Sequence, residues 1–305
     1  MASESLSPHD FPQDWTAWAA NAITSVRNPL VKQLRELGKG NRQRREQNLF
    51  LLEGTHSLIE ALTTGYPIEI VCFTVGWAQQ HPDLCQQIQQ VVPRWQVVTE
   101  EVLAVMTTTQ HPDGVVAALT YPDLYAKSSF LATHRSNSDQ NLLQNSEQTP
   151  EKTYLGLGLE CIQDPGNMGT LIRSAVAVGV NEILLSSDCV DITNPKVLRA
   201  TVGQWFRCHF IVTDHFHDTL RQYQSQGIKI LATTMTGQSS YWQWNFRQPT
   251  MIVMGNEGNG LSAAILSLAD RTVFVPLAEG VESLNVGVCG SLLLYEGLRQ
   301  RQGKP

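Results

Sequence analysis

The sequence predicts an α/β protein in two parts, the second a mostly parallel sheet with helices on both faces. Three observations predict it: strand-like runs alternate with helical stretches through the C-terminal half, a mixed α/β pattern occupies the N-terminal third, and a polar run divides the two. Residues 1–21 are polar apart from Trp15 and Trp18 and form an extension whose tryptophans need a docking surface. Residues 22–123 mix Val/Ile-rich runs (Ile68–Phe73, Gln96–Thr99, Gly114–Leu119) with helical periodicity at Pro29–Leu37 and Gly54–Leu62, a small α/β domain. Residues 124–152 read as a linker, because Lys127–Lys152 turns to Ser, Asn, Gln and Thr. In residues 153–305 the strand-like runs are Tyr154–Leu159, Glu182–Leu185, Ile228–Ala232, Met251–Met254 and Thr272–Val275. The helical stretches between and after them are Met168–Val178, Asn194–Thr201, Asp218–Gln226 and Asn285–Arg299. Ligands of such sheets sit where strands end and loops begin.

With 42% hydrophobic and 16% charged residues over 305 positions, the chain can bury two cores, which excludes collagen-like, disordered and coiled-coil classes. No run approaches the roughly 20 apolar residues of a membrane span, and Met1–Ala20 has no basic residue ahead of an apolar stretch, so a cytoplasmic protein without a membrane partner is expected. The six cysteines are scattered without a C-x-x-C pair, so they read as reduced thiols and no metal is expected. Gly156-Leu157-Gly158 has Cys161 where a dinucleotide fingerprint needs its third glycine, and no P-loop exists.

The net charge of −6 argues against a protein that coats nucleic acid nonspecifically. Locally, Arg27, Lys32, Arg35, Lys39, Arg42, Arg44 and Arg45 oppose only Glu36 and Glu46, so residues 24–46 carry 7 − 2 = +5. Such a run is either a phosphate-facing patch or a solvated helical face.

Three loops carry the chemistry. Glu160–Arg173 is a strand end, a Pro-Gly turn and a helix start with Asn167 as candidate N-cap. Small neighbours around Arg173 clear space for a guanidinium to reach a phosphate or ribose, unless it is a plain surface arginine. Val253–Ser262 places glycines around Glu257 just after an apolar strand, giving either close ligand approach or a tight turn. Val275–Val288 opens the last helix, with Ser283 or Asn285 as cap. Gly287 and Gly290 there cost about 1 kcal/mol each relative to Ala, so something should need the closeness.

Taken together these residues resemble the SpoU (TrmH) family of RNA 2′-O-ribose methyltransferases. Its N-x-G-x-x-x-R motif is matched by Asn167, Gly169 and Arg173. Its G-x-E-G-x-G-[LM] loop is matched by Gly255, Glu257, Gly258, Gly260 and Leu261, and its proline followed by S-L-N-V by Pro276 and Ser283–Val286. Asn194–Ala200 is similar to the family's N/S-P-K-x-x-R-A segment, and Ile23–Lys32 with Phe50–Gly54 resembles the substrate-binding domain of members acting on ribosomal RNA. The polar insert and the N-terminal extension depart from the family pattern.

The resemblance implies a C-terminal domain with a deep trefoil knot, S-adenosyl-L-methionine as cofactor, a homodimer, and ribosomal RNA as partner, with tRNA the alternative. It puts Arg173, Asn167, Glu257 and Asn285 at catalysis and Gly255, Val275, Leu277, Ser283, Leu284 and Asn285 at the cofactor. The RNA-binding candidates are Arg27, Lys32, Arg42, Arg44, Arg45, Lys196 and Arg199. Because a guanidinium stays protonated at neutral pH, Arg173 is expected to act electrostatically rather than as a base. A catalytically silent RNA-binding relative, or a methyltransferase acting on a non-RNA hydroxyl, are the rival readings.

Overall fold

The structure, a computed structural model, describes residues 15–124 and 154–303. Most of the N-terminal extension and nearly all of the polar insert therefore lie outside the described residues. The rest divides into two compact units, one of residues up to 121 together with 191–206 and the other of the remainder.

In the first unit, helix α1 (Trp15–Ala20) sets Trp18 5.7 Å from the ring of Phe73 and 5.3 Å from that of Trp95, with Trp15 edge-on to Trp18 at 5.4 Å. Helix α2 (Pro29–Lys39) starts as its sequence dictates, with Pro29 in the first turn and the Asn28 side chain accepting from Leu30 N at 2.9 Å. Helix α3 (Asn41–Gln47) leads into β1 (Leu49–Glu53). There follow α4 (Thr55–Thr63), β2 (Ile68–Phe73), α5 (Val75–Gln80), α6 (Pro82–Val91), β3 (Trp95–Val97), α7 (Glu100–Met106) and β4 (Val115–Thr120). The sheet order is β1-β4-β2-β3, antiparallel except for the β2/β3 pair. Val31, Leu34 and Leu37 of α2 pack with Leu51, Ile70, Val102 and Leu103 in its core.

The second unit opens with β5 (Leu155–Leu159), α8 (Pro165–Val178) and β6 (Glu182–Ser186). The chain then passes through α9 (Pro195–Thr201), which belongs to the first unit. It continues with β7 (Phe210–Thr213), α10 (Phe216–Ser225), β8 (Lys229–Thr233), β9 (Ser239–Ser240), β10 (Thr250–Met254), α11 (Ala263–Leu268), β11 (Arg271–Phe274) and α12 (Val286–Arg301). All pairs in its sheet, ordered β7-β6-β5-β10-β8-β11-β9, are parallel, as the alternation predicts. Its glycines serve packing: a Cβ on Gly158 would already touch Phe216 at 3.4 Å, and one on Gly290 would stand 2.3 Å from Leu171 Cδ2. The closeness demanded by the lean start of α12 is thus contact with α8. Among the described residues no helix is long and apolar enough to cross a membrane.

The segment 191–206 packs into the first unit. Val197, Leu198 and Trp205 are buried, and the Trp205 ring lies 5.3 Å from Phe50 and 5.6 Å from Tyr66. The same segment overturns one RNA-binding expectation. Arg44 is only 3% exposed: Nη2 donates to Asp191 Oδ2 at 2.6 Å, Nε to Thr193 Oγ1 at 3.1 Å and Nη1 to the Leu37 carbonyl at 3.0 Å. Its charge is consumed internally and is not offered to phosphate. Arg42 nearby is exposed and paired with Glu46 at 2.7 Å. Arg44→Ala should therefore cost about 3–5 kcal/mol in urea unfolding, because it strands the half-buried Asp191 carboxylate, whereas Arg42→Ala should stay within about 1 kcal/mol.

Candidate active site

The three candidate loops leave β5, β10 and β11 at their carboxyl ends. From β5 the chain steps outward through β6 to β7, then resumes beyond β10 at β8, so the winding direction reverses between β5 and β10. The crevice at such a reversal is where open parallel sheets bind ligands.

In the first loop, Asp164 rather than Asn167 caps α8, accepting from Asn167 N at 2.8 Å, with Pro165 at the first helical position. Asn167 lies inside the first turn, which frees its side chain. Its Nδ2 donates to Glu257 Oε1 of the second loop at 3.0 Å, and its Oδ1 accepts from Asn285 Nδ2 of the third at 2.7 Å. Asn285 Oδ1 in turn accepts from Gly287 N at 2.9 Å and Val288 N at 3.2 Å, capping α12. Each amide thus has its oxygen toward donors and its nitrogen toward an acceptor, so the chain Glu257–Asn167–Asn285 has one consistent direction.

Cys161, also in the first loop, has a left-handed backbone (φ 56°), donates through N to Ser186 Oγ at 2.9 Å and through Sγ to Asp188 Oδ2 at 2.6 Å. Burial, then the hydrogen bond and charge of Asp188, push the thiol up to about 12, so it is protonated at neutral pH and is no nucleophile.

The second loop is held by residues that sequence reasoning passed over. Asn256 Nδ2 donates to the Cys161 carbonyl at 2.9 Å, while its Oδ1 accepts from Gly258 N at 2.9 Å and Asn259 N at 3.1 Å. Glu160 Oε2 accepts from Ser262 N at 2.8 Å. An Asn followed two and three residues later by small or turn residues is an Asx-turn signal that could have marked Asn256. Gly255 is buried where a Cβ would lie 2.3 Å from the Gly260 carbonyl carbon and oxygen and 2.4 Å from Leu261 N.

The third loop is extended and open. Between residues 276 and 284 the described chain makes one backbone–backbone hydrogen bond, Val281 N to the Ala278 carbonyl at 3.2 Å. Leu277, Ser283 and Leu284 are exposed and Val275 half-buried. Free main-chain donors and acceptors beside exposed leucines suit a flat heteroaromatic ring with a polar edge.

The remaining site residues stand apart from this network. Arg173 is exposed on α8, makes no hydrogen bond or ion pair among the described residues, and stands about 9 Å along the helix axis from Asn167 at ~1.5 Å per residue. In the first unit Arg27, Lys32, Arg45 and Lys196 are exposed, whereas Arg199 is ion-paired with Glu53 at 2.8 Å.

Residues 154–295 match the profile of the SpoU rRNA Methylase family, and residues 28–117 match the MRM3-like substrate binding domain. An uncharacterized tRNA/rRNA methyltransferase of Synechocystis sp. is 39% identical over 280 residues, 92% of this chain and 94% of the relative. The chain belongs to the SpoU methylase family. A further relative, the 23S rRNA (guanosine(2553)-2′-O)-methyltransferase RlmP of Bacillus subtilis, is 29% identical over 90% of this chain and 97% of its own. The AdoMet-bound rRNA methyltransferase of Sinorhizobium meliloti superimposes with a TM-score of 0.75 at 26% identity, covering 91% of this chain and 97% of that one. The SpoU match contains all three loops, and the substrate-binding match takes in β1 to β4 up to residue 117.

Gly255→Ala should cost about 1–3 kcal/mol, since the obstructing atoms are main chain and cannot rotate away. Gly258→Ala, which meets only Asn256 Oδ1 at 3.5 Å, should stay within about 0.5 kcal/mol in the same urea titration.

Proposed function

We propose that this protein methylates a ribose 2′-hydroxyl of ribosomal RNA with S-adenosyl-L-methionine, acting as a homodimer in the cytoplasm. The observation that carries the reading is the Glu257–Asn167–Asn285 chain, which ties together the three motif loops at the sheet's ligand-binding edge. Gly255, Val275, Leu277, Ser283, Leu284 and Asn285 are the residues that would hold the cofactor. The main chain of 276–284, with a single backbone–backbone hydrogen bond, and the exposed leucines fit its adenine, and the Glu257 carboxylate suits its cationic end. Bound there, the cofactor would supply an electrophilic methyl on a good leaving group.

The protein's task is alignment of the ribose oxygen with that methyl, and exclusion of competing geometries. Arg173 draws the neighbouring phosphate and the developing alkoxide into line, while the hydroxyl proton passes to water or a neighbouring group. Its exposure and lack of a partner support its working across a dimer, at the loops of the other protomer. Val288, Leu292 and Tyr295, 45%, 38% and 52% exposed at i, i+4 and i+7 of α12, support a two-fold contact through this helix.

Incubation of the full chain with methyl-labelled cofactor and ribosomal RNA, followed by mapping of hydrolysis-resistant linkages, should reveal one methylated ribose; absence of incorporation, with no calorimetric heat for the cofactor or its demethylated product, overturns the reading. Arg173→Ala should keep cofactor binding and lose methyl transfer by at least about a hundredfold. Co-refolded with an inactive Asn285→Lys chain, it should regain about one quarter of wild-type activity, since half the dimers are mixed and each holds one intact site. Mixtures that contain heterodimer yet stay silent place Arg173 in its own chain's site.

A further inference from the structure

We propose that a cleft of about 280 Å³ in the first unit receives one unpaired nucleotide of the RNA substrate, its base against Val202, His56 and His111 and its phosphate at Arg199; this rests on the RNA reading above. The volume lies just below the range of drug-sized ligand sites, about 300–1,000 Å³, and suits a single extruded nucleotide rather than a duplex.

Val202 is the first argument. It ends α9 with φ 50° and ψ 47°, the left-handed region that a β-branched side chain rarely enters. A helix end of this kind needs only Gly or Asn, and Gly203 follows directly. Packing does not demand the valine, because it is 43% exposed. Strain kept at an exposed apolar side chain on a cleft wall points to something that the side chain meets.

Arg199 is the second. Its Nη1 donates to Glu53 Oε2 at 2.8 Å and to Thr108 Oγ1 at 2.7 Å, and the buried Glu53 also accepts from Thr108 N at 2.9 Å. Two bonds on one nitrogen fix the guanidinium, while Nε and Nη2 keep no partner among the described residues and remain for an anion. The wall opposite is equally fixed: Thr55 N donates to Asp113 Oδ2 at 2.7 Å, and Trp77 Nε1 donates to Thr55 Oγ1 at 2.8 Å. A preformed cleft loses little freedom on binding. His56 and His111, both exposed on its lining, add flat rings of the kind on which unpaired bases stack, and Pro112 and Val115 extend the apolar surface. Most of the cleft falls within the substrate-binding match, which favours a nucleotide over a phosphopeptide.

The test uses the full chain with imidazole carbon–proton NMR signals of His56 and His111, titrated with the four nucleoside 5′-monophosphates, inorganic phosphate and a mixed-sequence single-stranded RNA decamer. The decamer and at least one monophosphate should move both signals, and phosphate alone should not. Val202→Gly should weaken decamer binding at least fivefold while the unfolding temperature stays at or above that of the wild type, because strain leaves with the side chain. His56→Ala with His111→Ala should raise KM for ribosomal RNA about tenfold and leave kcat and the cofactor's calorimetric heat unchanged. Equal response to phosphate and nucleotides, tight binding of a phosphopeptide instead, or a Val202→Gly chain that binds RNA normally overturns the proposal. Silent histidines with methylation intact overturn the cleft alone; no decamer binding together with no methylation overturns the RNA reading and the cleft with it.

Discussion

Asn167 is bonded to both of the other motif loops at once, through the two ends of a single carboxamide. That dual role depends on where α8 begins. Had Asn167 been the cap, its oxygen would have been spent on a backbone N–H of its own helix and could not have accepted from Asn285 in this way. Asp164 takes the capping task three residues earlier, and Pro165 fixes the turn that follows. The local start of one helix therefore decides whether loops 90 and 118 residues away in sequence are held together.

The same constraint explains the glycines of α12. For Asn285 to reach Asn167, the first turns of α8 and α12 must lie nearly in contact, and side chains at their crossing must be small. Thr170 Cγ2 lies 3.0 Å from where a Cβ of Gly287 would be, and Ser174 and Ser291 share a hydrogen bond of 2.7 Å a turn further on. Two interior glycines cost the helix propensity, and the close approach offsets that cost with packing and a polar cross-link. Gly255 works differently, because its neighbours are backbone: it lets the second loop fold back on itself so that Glu257 emerges beside α8.

Much of this was legible in the sequence. Period and alternation were enough for the parallel sheet of the second unit, whereas Asn167, Glu257 and Asn285 were drawn into one site only by the motif resemblance, since each loop alone also reads as an ordinary turn or helix start. Three things were not legible, each for a physical reason. The cap of α8 was misassigned because Asp164 and Asn167 are both good capping residues, and only the Pro165 position separates them. Segment 191–206 joins the first unit through Trp205, Phe50 and Tyr66, a contact between positions far apart in sequence that no local pattern encodes. Arg44 looked like one of several exposed cations because charge runs carry no sign of burial; its acceptor, Asp191, is 147 residues away.

That last point changes the electrostatic argument for RNA binding. The formal +5 of residues 24–46 already subtracts Glu36 and Glu46, which pair with Lys39 at 2.6 Å and Arg42 at 2.7 Å, and burial of Arg44 against Asp191 takes one further charge from what phosphate can meet. Each cation already neutralised contributes little counterion release when RNA arrives. In a chain of net charge −6, a shrunken basic patch leaves nonspecific attraction weak. An enzyme that must pick one ribose from a large RNA gains from that weakness, because the free energy of binding then comes from shaped contacts with unpaired nucleotides rather than from the uniform charge of the backbone. Selectivity is accordingly a matter of fixed geometry: the Arg199 guanidinium of the proposed cleft is held by Glu53, and the three motif loops are held by Asn167.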